Sequence, residues 1–87
     1  MAEIKVSQLD EITFQVTVAD KSTTTHEVRV QADYAQKLTT GKITTIQLVK
    51  KSFEYLLERE PNTSILRNFD LSVIARYFPE YERVIGK

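Results

Sequence analysis

The 87-residue chain has no cysteine. Disulfides, thiolate nucleophiles and cysteine-ligated metals are therefore excluded, and the composition fits a reducing compartment such as the cytoplasm. His26 is the sole histidine, so no second histidine or cysteine completes a zinc site. The two glycines, Gly41 and Gly86, are too few and too far apart for a phosphate-cradling loop. No apolar run approaches the ~20 residues that span a bilayer. The N-terminal MAEIKVSQLDE lacks the basic-then-apolar order of a signal peptide. Charge of one sign is missing too. Twelve Lys and Arg balance twelve Asp and Glu, whereas nucleic-acid binders carry a basic excess on one face. These absences point to a cytoplasmic protein with no membrane partner, for which nucleic acid is a less favoured partner than another protein.

What is present is periodicity. Ile46, Val49, Phe53, Leu56 and Leu57 fall on one stripe of a helix over about 45–60, with Lys50, Lys51, Glu54, Glu58 and Arg59 away from it. Thr44 and Gln47 have capping-box spacing, Ile43 and Leu48 occupy the staple positions, and Pro61 bars continuation. Upstream, three runs alternate apolar and polar residues with period two: about 3–9, 12–18 and 23–30. The clearest is Ile12, Phe14, Val16 and Val18. Polar breaks of hairpin length at Asp10-Glu11 and Ala19–Ser22 join them into a three-stranded antiparallel meander with one apolar face. A short helix is expected near 32–39, closed by Gly41 in the left-handed conformation. C-terminal helices are expected near 63–68 and 71–78, the second capped by Asp70 and stopped by Pro79, with one further turn over Glu80–Val84. The fold class is thus α+β, a single small domain over 1–87, with the 45–60 helix covering the sheet.

Catalytic chemistry finds little footing. His26 is in phase with Val28 and Val30 and so points to the apolar face of the sheet. Ser7, Ser22, Ser52, Ser64 and Ser72 stand in no nucleophile turn. The acidic pairs Glu58/Glu60 and Glu80/Glu82 read as solvated charges. No catalytic, cofactor or metal residue is assigned, and the chain reads as a non-enzymatic protein-interaction or regulatory domain. The candidate partner-binding surface is Tyr55, Arg76, Tyr77, Tyr81 and Arg83, because tyrosine and arginine dominate interface hot spots.

Two resemblances bear on this. The segment THEVRVQADYAQKLTTGKITTIQLVKKSFEYLLERE resembles the ribbon-helix-helix DNA-binding family over 24–60. That resemblance implies a dimer whose paired strands enter the major groove through Thr25, Glu27 and Arg29. The chain departs from the pattern in a shorter first helix, two preceding strands and an acid among the outward strand residues. Separately, SFEYLLEREPNTSIL followed by FDLSVIARYFPEYE resembles small uncharacterised bacterial proteins of similar size, which implies a bacterial cytosolic origin and no mechanism.

Phe53 lies mid-stripe on the main helix. Phe53→Ala is expected to lower unfolding stability by roughly 3–5 kcal/mol, read from urea titration. An unchanged midpoint would remove the helix from the core.

Overall fold

The computed structural model describes residues 2–85. Three strands come first: β1 (Glu3–Gln8), β2 (Thr13–Ala19) and β3 (Thr23–Arg29). They form the expected antiparallel meander, with Val6 opposite Val16 and Val16 opposite His26. Phe14, Val16, Val18, Thr24, His26 and Val28 are buried on one face, while Lys5, Gln15, Thr25 and Glu27 are exposed on the other. The first turn is fixed by Asp10, whose Oδ1 accepts from the amides of Ile12 (3.0 Å) and Thr13 (2.8 Å).

Helix α1 (Ala32–Thr39) follows. Its left-handed exit begins one residue earlier than expected. Thr40 (φ 50°) and Gly41 (φ 77°) both have positive φ, and the Thr40 amide donates to the Gln36 carbonyl. Helix α2 (Thr45–Leu57) starts at the expected capping box, with Gln47 N–H donating to Thr44 Oγ1 (3.1 Å) and Thr44 N–H to Gln47 Oε1 (2.9 Å). It ends at Leu57 rather than Glu60, because residues 58–60 form turns. Its buried face is also rotated from the expected stripe. Ile46 is 39% exposed, whereas Leu48, Ser52 and Tyr55 are buried beside Val49, Phe53 and Leu56. The reason is that α2 is covered on two sides: it packs against β1, and also against α1 and a C-terminal helix, α4 (Tyr81–Ile85).

The larger departure lies between these helices. No helix forms over 63–68. A single 3-10 turn at Asn62–Ser64 leads instead to a fourth strand, β4 (Asn68–Asp70), parallel to β3, which completes a sheet of order β1-β2-β3-β4. The open edge of β3 supplies the reason. Glu27 N–H donates to the Arg67 carbonyl (2.8 Å) and Leu71 N–H to the Arg29 carbonyl (2.9 Å). Leu71 and Ser72 then form a turn whose carbonyls accept from the amides of Ile74 (3.1 Å) and Ala75 (3.2 Å), and α3 proper runs from Val73 to Tyr77. Asp70 accepts from the Ser72 amide and hydroxyl (3.2 and 3.0 Å), and so caps the turn that leads into this helix. In the strand that the ribbon-helix-helix resemblance would pair with a second chain, the edge over Glu27–Arg29 is occupied by β4.

Buried polar groups tie the returning segment to the sheet. Asn62 Nδ2 donates to Thr24 Oγ1 (2.9 Å) and to the Ser22 carbonyl (3.0 Å). Thr24 Oγ1 lies 2.8 Å from His26 Nε2, and His26 Nδ1 lies 2.7 Å from the Leu66 carbonyl. A carbonyl only accepts, so Nδ1 carries the proton. Nε2 then accepts from the Thr24 hydroxyl, and the chain of donors is complete with a neutral ring. The imidazole packs 5.3 Å from the Phe53 ring.

Burial lowers the His26 pKa, opposed by its bond to Leu66 and aided by the nearby Arg67 charge. A lowered folded value means that the unfolded chain takes up the proton first as pH falls below its ordinary 6.5. Stability is therefore full above that value and is lost as pH falls from it toward the folded pKa. Urea midpoints should drop between about pH 7 and 5.5, above the range in which carboxylates titrate. NMR titration of the single imidazole should place its folded pKa below 6.5. A value above that would reverse the sign.

Candidate functional site

The five residues expected to form a partner surface are divided by the fold. Tyr81 is fully buried, and Tyr55 is 5% exposed. Tyr77 is 68% exposed, and Arg76 and Arg83 are exposed as well. The two buried tyrosines are structural. Ser52 Oγ donates to the Leu48 carbonyl (2.7 Å), so its single proton is used. The Tyr81 hydroxyl, 2.6 Å away, therefore donates to Ser52. Burial pushes the Tyr81 phenol pKa well up. Tyr55 packs edge-on against Tyr81 and Phe78 at ring distances of 5.4 and 6.0 Å. Its hydroxyl donates to Glu80 Oε1 (3.0 Å), and the Arg59 guanidinium covers its ring at 3.6 Å. Burial, and then the Glu80 bond, raise the Tyr55 phenol pKa. The Glu80 carboxylate is held below its ordinary range first by its own backbone amide and then by Tyr55.

The exposed tyrosine stands on the rim of a groove of about 400 Å³. Leu56 comes from the end of α2 and Glu60 from the turn after it, Ile65 and Leu66 from the segment entering β4, Phe69 from β4 itself, and Ile74 and Tyr77 from α3. Leu66, 48% exposed, lies on the same groove as Tyr77. Of the large apolar side chains exposed among the described residues (Leu9, Ile46, Leu66, Tyr77 and Val84), Leu66 and Tyr77 are the two that share this groove. The groove exists because β4 replaces the expected helix: the strand brings Phe69 into the core and leaves Leu66 outside. Beside the lining residues, Arg67 and Arg76 are exposed, and neither has a carboxylate partner among the described residues.

Sequence reasoning reached Tyr77 and Arg76 by residue type but missed Leu66, Glu60 and the wall at Ile65 and Phe69. The available signal was the adjacent apolar pair Ile65-Leu66 in a segment too short to bury both. Arg83 lies outside the groove lining, on α4, where Glu82 accepts from Tyr34 (2.8 Å) and pairs with Lys37 (3.1 Å), joining α4 to α1. Among the described residues, no group of three or more His, Cys, Asp or Glu side chains is placed to hold a metal. No helix among them is long and apolar enough to cross a membrane.

No family model, curated protein or solved structure matches the chain.

The hydrogen-bond directions at Tyr81 make an asymmetric prediction. Tyr81→Phe leaves Ser52 still donating to Leu48 and should cost about 1 kcal/mol. Ser52→Ala strands the buried Tyr81 hydroxyl and should cost more, up to about 3 kcal/mol. Equal losses in chemical denaturation would mean that the tyrosine hydroxyl has another partner.

Proposed function

We propose that this chain is a small non-enzymatic interaction domain of the bacterial cytoplasm, and that the groove between α2, β4 and α3 is its recognition site. The occupant is a segment of another protein carrying one or two large apolar side chains flanked by acidic residues. The observation that carries this reading is the pairing of exposed Leu66 and Tyr77 on an apolar groove with arginines next to each in sequence. Arg67 and Arg76 offer unpaired guanidinium donors, the geometry suited to carboxylates. The groove volume, about 400 Å³, holds a few side chains rather than a folded surface. Its polar lining, chiefly Glu60 and Ser64, offers little to orient a small polar substrate. Tyr77, with its large apolar area and a hydroxyl that tolerates water, has the character of an interface anchor. The cytoplasmic location belongs to the same proposal and rests on the cysteine-free composition.

The test is an NMR titration with two synthetic peptides that share a Leu-x-x-Phe core, one flanked by Asp and Glu, the other by Lys. The acidic peptide should shift the amides of Leu66, Phe69 and Tyr77 and bind more tightly than the lysine peptide. Tyr77→Ser should weaken it roughly tenfold or more with an unchanged thermal midpoint. Shifts confined to other surfaces, or equal binding of both peptides, would remove the groove from this role. Duplex DNA producing the larger, salt-sensitive shifts would replace the protein partner with nucleic acid.

A further inference from the structure

The two edges of the sheet differ. The β4 edge is three residues long, too short to template much pairing. The β1 edge is six residues, EIKVSQ, without proline, glycine or bulge, and its outer side has no strand partner among the described residues. Its backbone orientation follows from the ladder. Leu9 N–H donates to the Thr13 carbonyl, and Val30 N–H to the Ile12 carbonyl. Odd-numbered residues of β2 therefore face β1, and even-numbered ones face β3. The β1 residues opposite odd positions, Glu3, Lys5 and Ser7, spend their amides and carbonyls on β2. Ile4 and Val6, with Gln8, turn theirs outward. On the covered face Ile4 and Val6 remain only half-buried, unlike Val16 and Val18 on the next strand.

We propose that two copies of this chain pair antiparallel along β1 about a two-fold axis at Ile4, joining two four-stranded sheets into one of eight. Charge selects this register. With Ile4 opposite Ile4 of the second copy, Ala2 meets Val6 and Glu3 meets Lys5, twice over by symmetry. Ile4 with its copy, and Ala2 with Val6, are then hydrogen-bonded pairs. Glu3 and Lys5 fall at a non-hydrogen-bonded pair, where side chains approach most closely. Both are highly exposed on the wet face and already within 3.7 Å of each other, so exchanging the two intrachain pairs for two interchain ones costs little desolvation. Moving the axis to Lys5 sets lysine against lysine. Moving it to Val6 sets Ile4 against Gln8 and Lys5 against Ser7. A shift that changes parity turns apolar residues of one copy onto the wet face of the other. The proposal is independent of the groove, which lies at the β4 side of the sheet. In the paired form the two grooves face outward at opposite ends.

Sedimentation equilibrium of the intact chain should show a monomer–dimer equilibrium. Lys5→Glu and Glu3→Lys should each raise the dimer dissociation constant roughly tenfold. The double exchange, Glu3→Lys with Lys5→Glu, should restore it. Both substituted positions lie on the wet face, so unchanged circular dichroism serves as the folding control for all three variants. Register is read separately, since the chain has no cysteine of its own. An oxidised mixture of Glu3→Cys and Lys5→Cys proteins should give mainly the mixed disulfide. A chain that stays monomeric at near-millimolar concentration, a dimer indifferent to both charge variants, or predominantly like-with-like disulfides would overturn the proposal.

Discussion

The chain of donors running from Asn62 through Thr24 and His26 to the Leu66 carbonyl is the constraint on which the C-terminal half depends. It fixes both ends of a five-residue segment against the sheet. A buried imidazole without partners would carry a desolvation penalty of a few kcal/mol. Here both ring nitrogens are satisfied, and no buried side-chain nitrogen or oxygen among the described residues lacks a partner. With Asn62 and Leu66 held, the chain arrives at β3 extended and in register, so that Phe69 enters the core 6.1 Å from Phe53 while Leu66 is left facing water. The groove is a geometric result of that anchoring. The same histidine that fits none of the usual catalytic arrangements is thus the residue that shapes the candidate site.

The parts of the fold legible in the sequence are those encoded within a few residues. The alternation of Phe14, Val16 and Val18 identifies a strand because the pleat has period two, and the Thr44–Gln47 box identifies a helix start because its bonds span one turn. The orientation of α2 was less legible. Whether Ile46 or Leu48 is buried depends on which neighbours cover the helix, and Tyr81 arrives from far along the chain. β4 was not legible at all. Three residues have no period, and the reason they are extended is a row of unpaired groups on β3, which no local pattern announces. Asn62, Asp70 and Ser72 look like helix caps for the same reason that they suit turns: short polar side chains bond to nearby backbone in either setting.

The candidate site shows the same division. Residue type alone selected Tyr55, Tyr77 and Tyr81 together, since all three carry an apolar ring and a polar tip. What separates them is the end of α3 at Tyr77, just ahead of Pro79, which cannot continue a helix. With the helix that short, Phe78 and Pro79 turn the chain back beneath α2. Tyr81 then reaches Ser52, Tyr55 reaches Glu80, and Tyr77 alone is left outside. Two of the three anchor α4 to α2, and the remaining one is free for contact with another molecule.

The parallel pairing of β4 with β3 also has a kinetic side. The meander closes through two short turns, whereas β4 cannot dock until α1, α2 and the 3-10 turn have been threaded between it and its partner. Loop-closure entropy makes such a contact slow relative to hairpins. During that interval β3, and not β4, is the bare edge of a three-stranded sheet, and Phe69 has yet to cover Phe53. The element that builds the groove is therefore also the element that covers the bare edge of β3 at Glu27–Arg29 during folding.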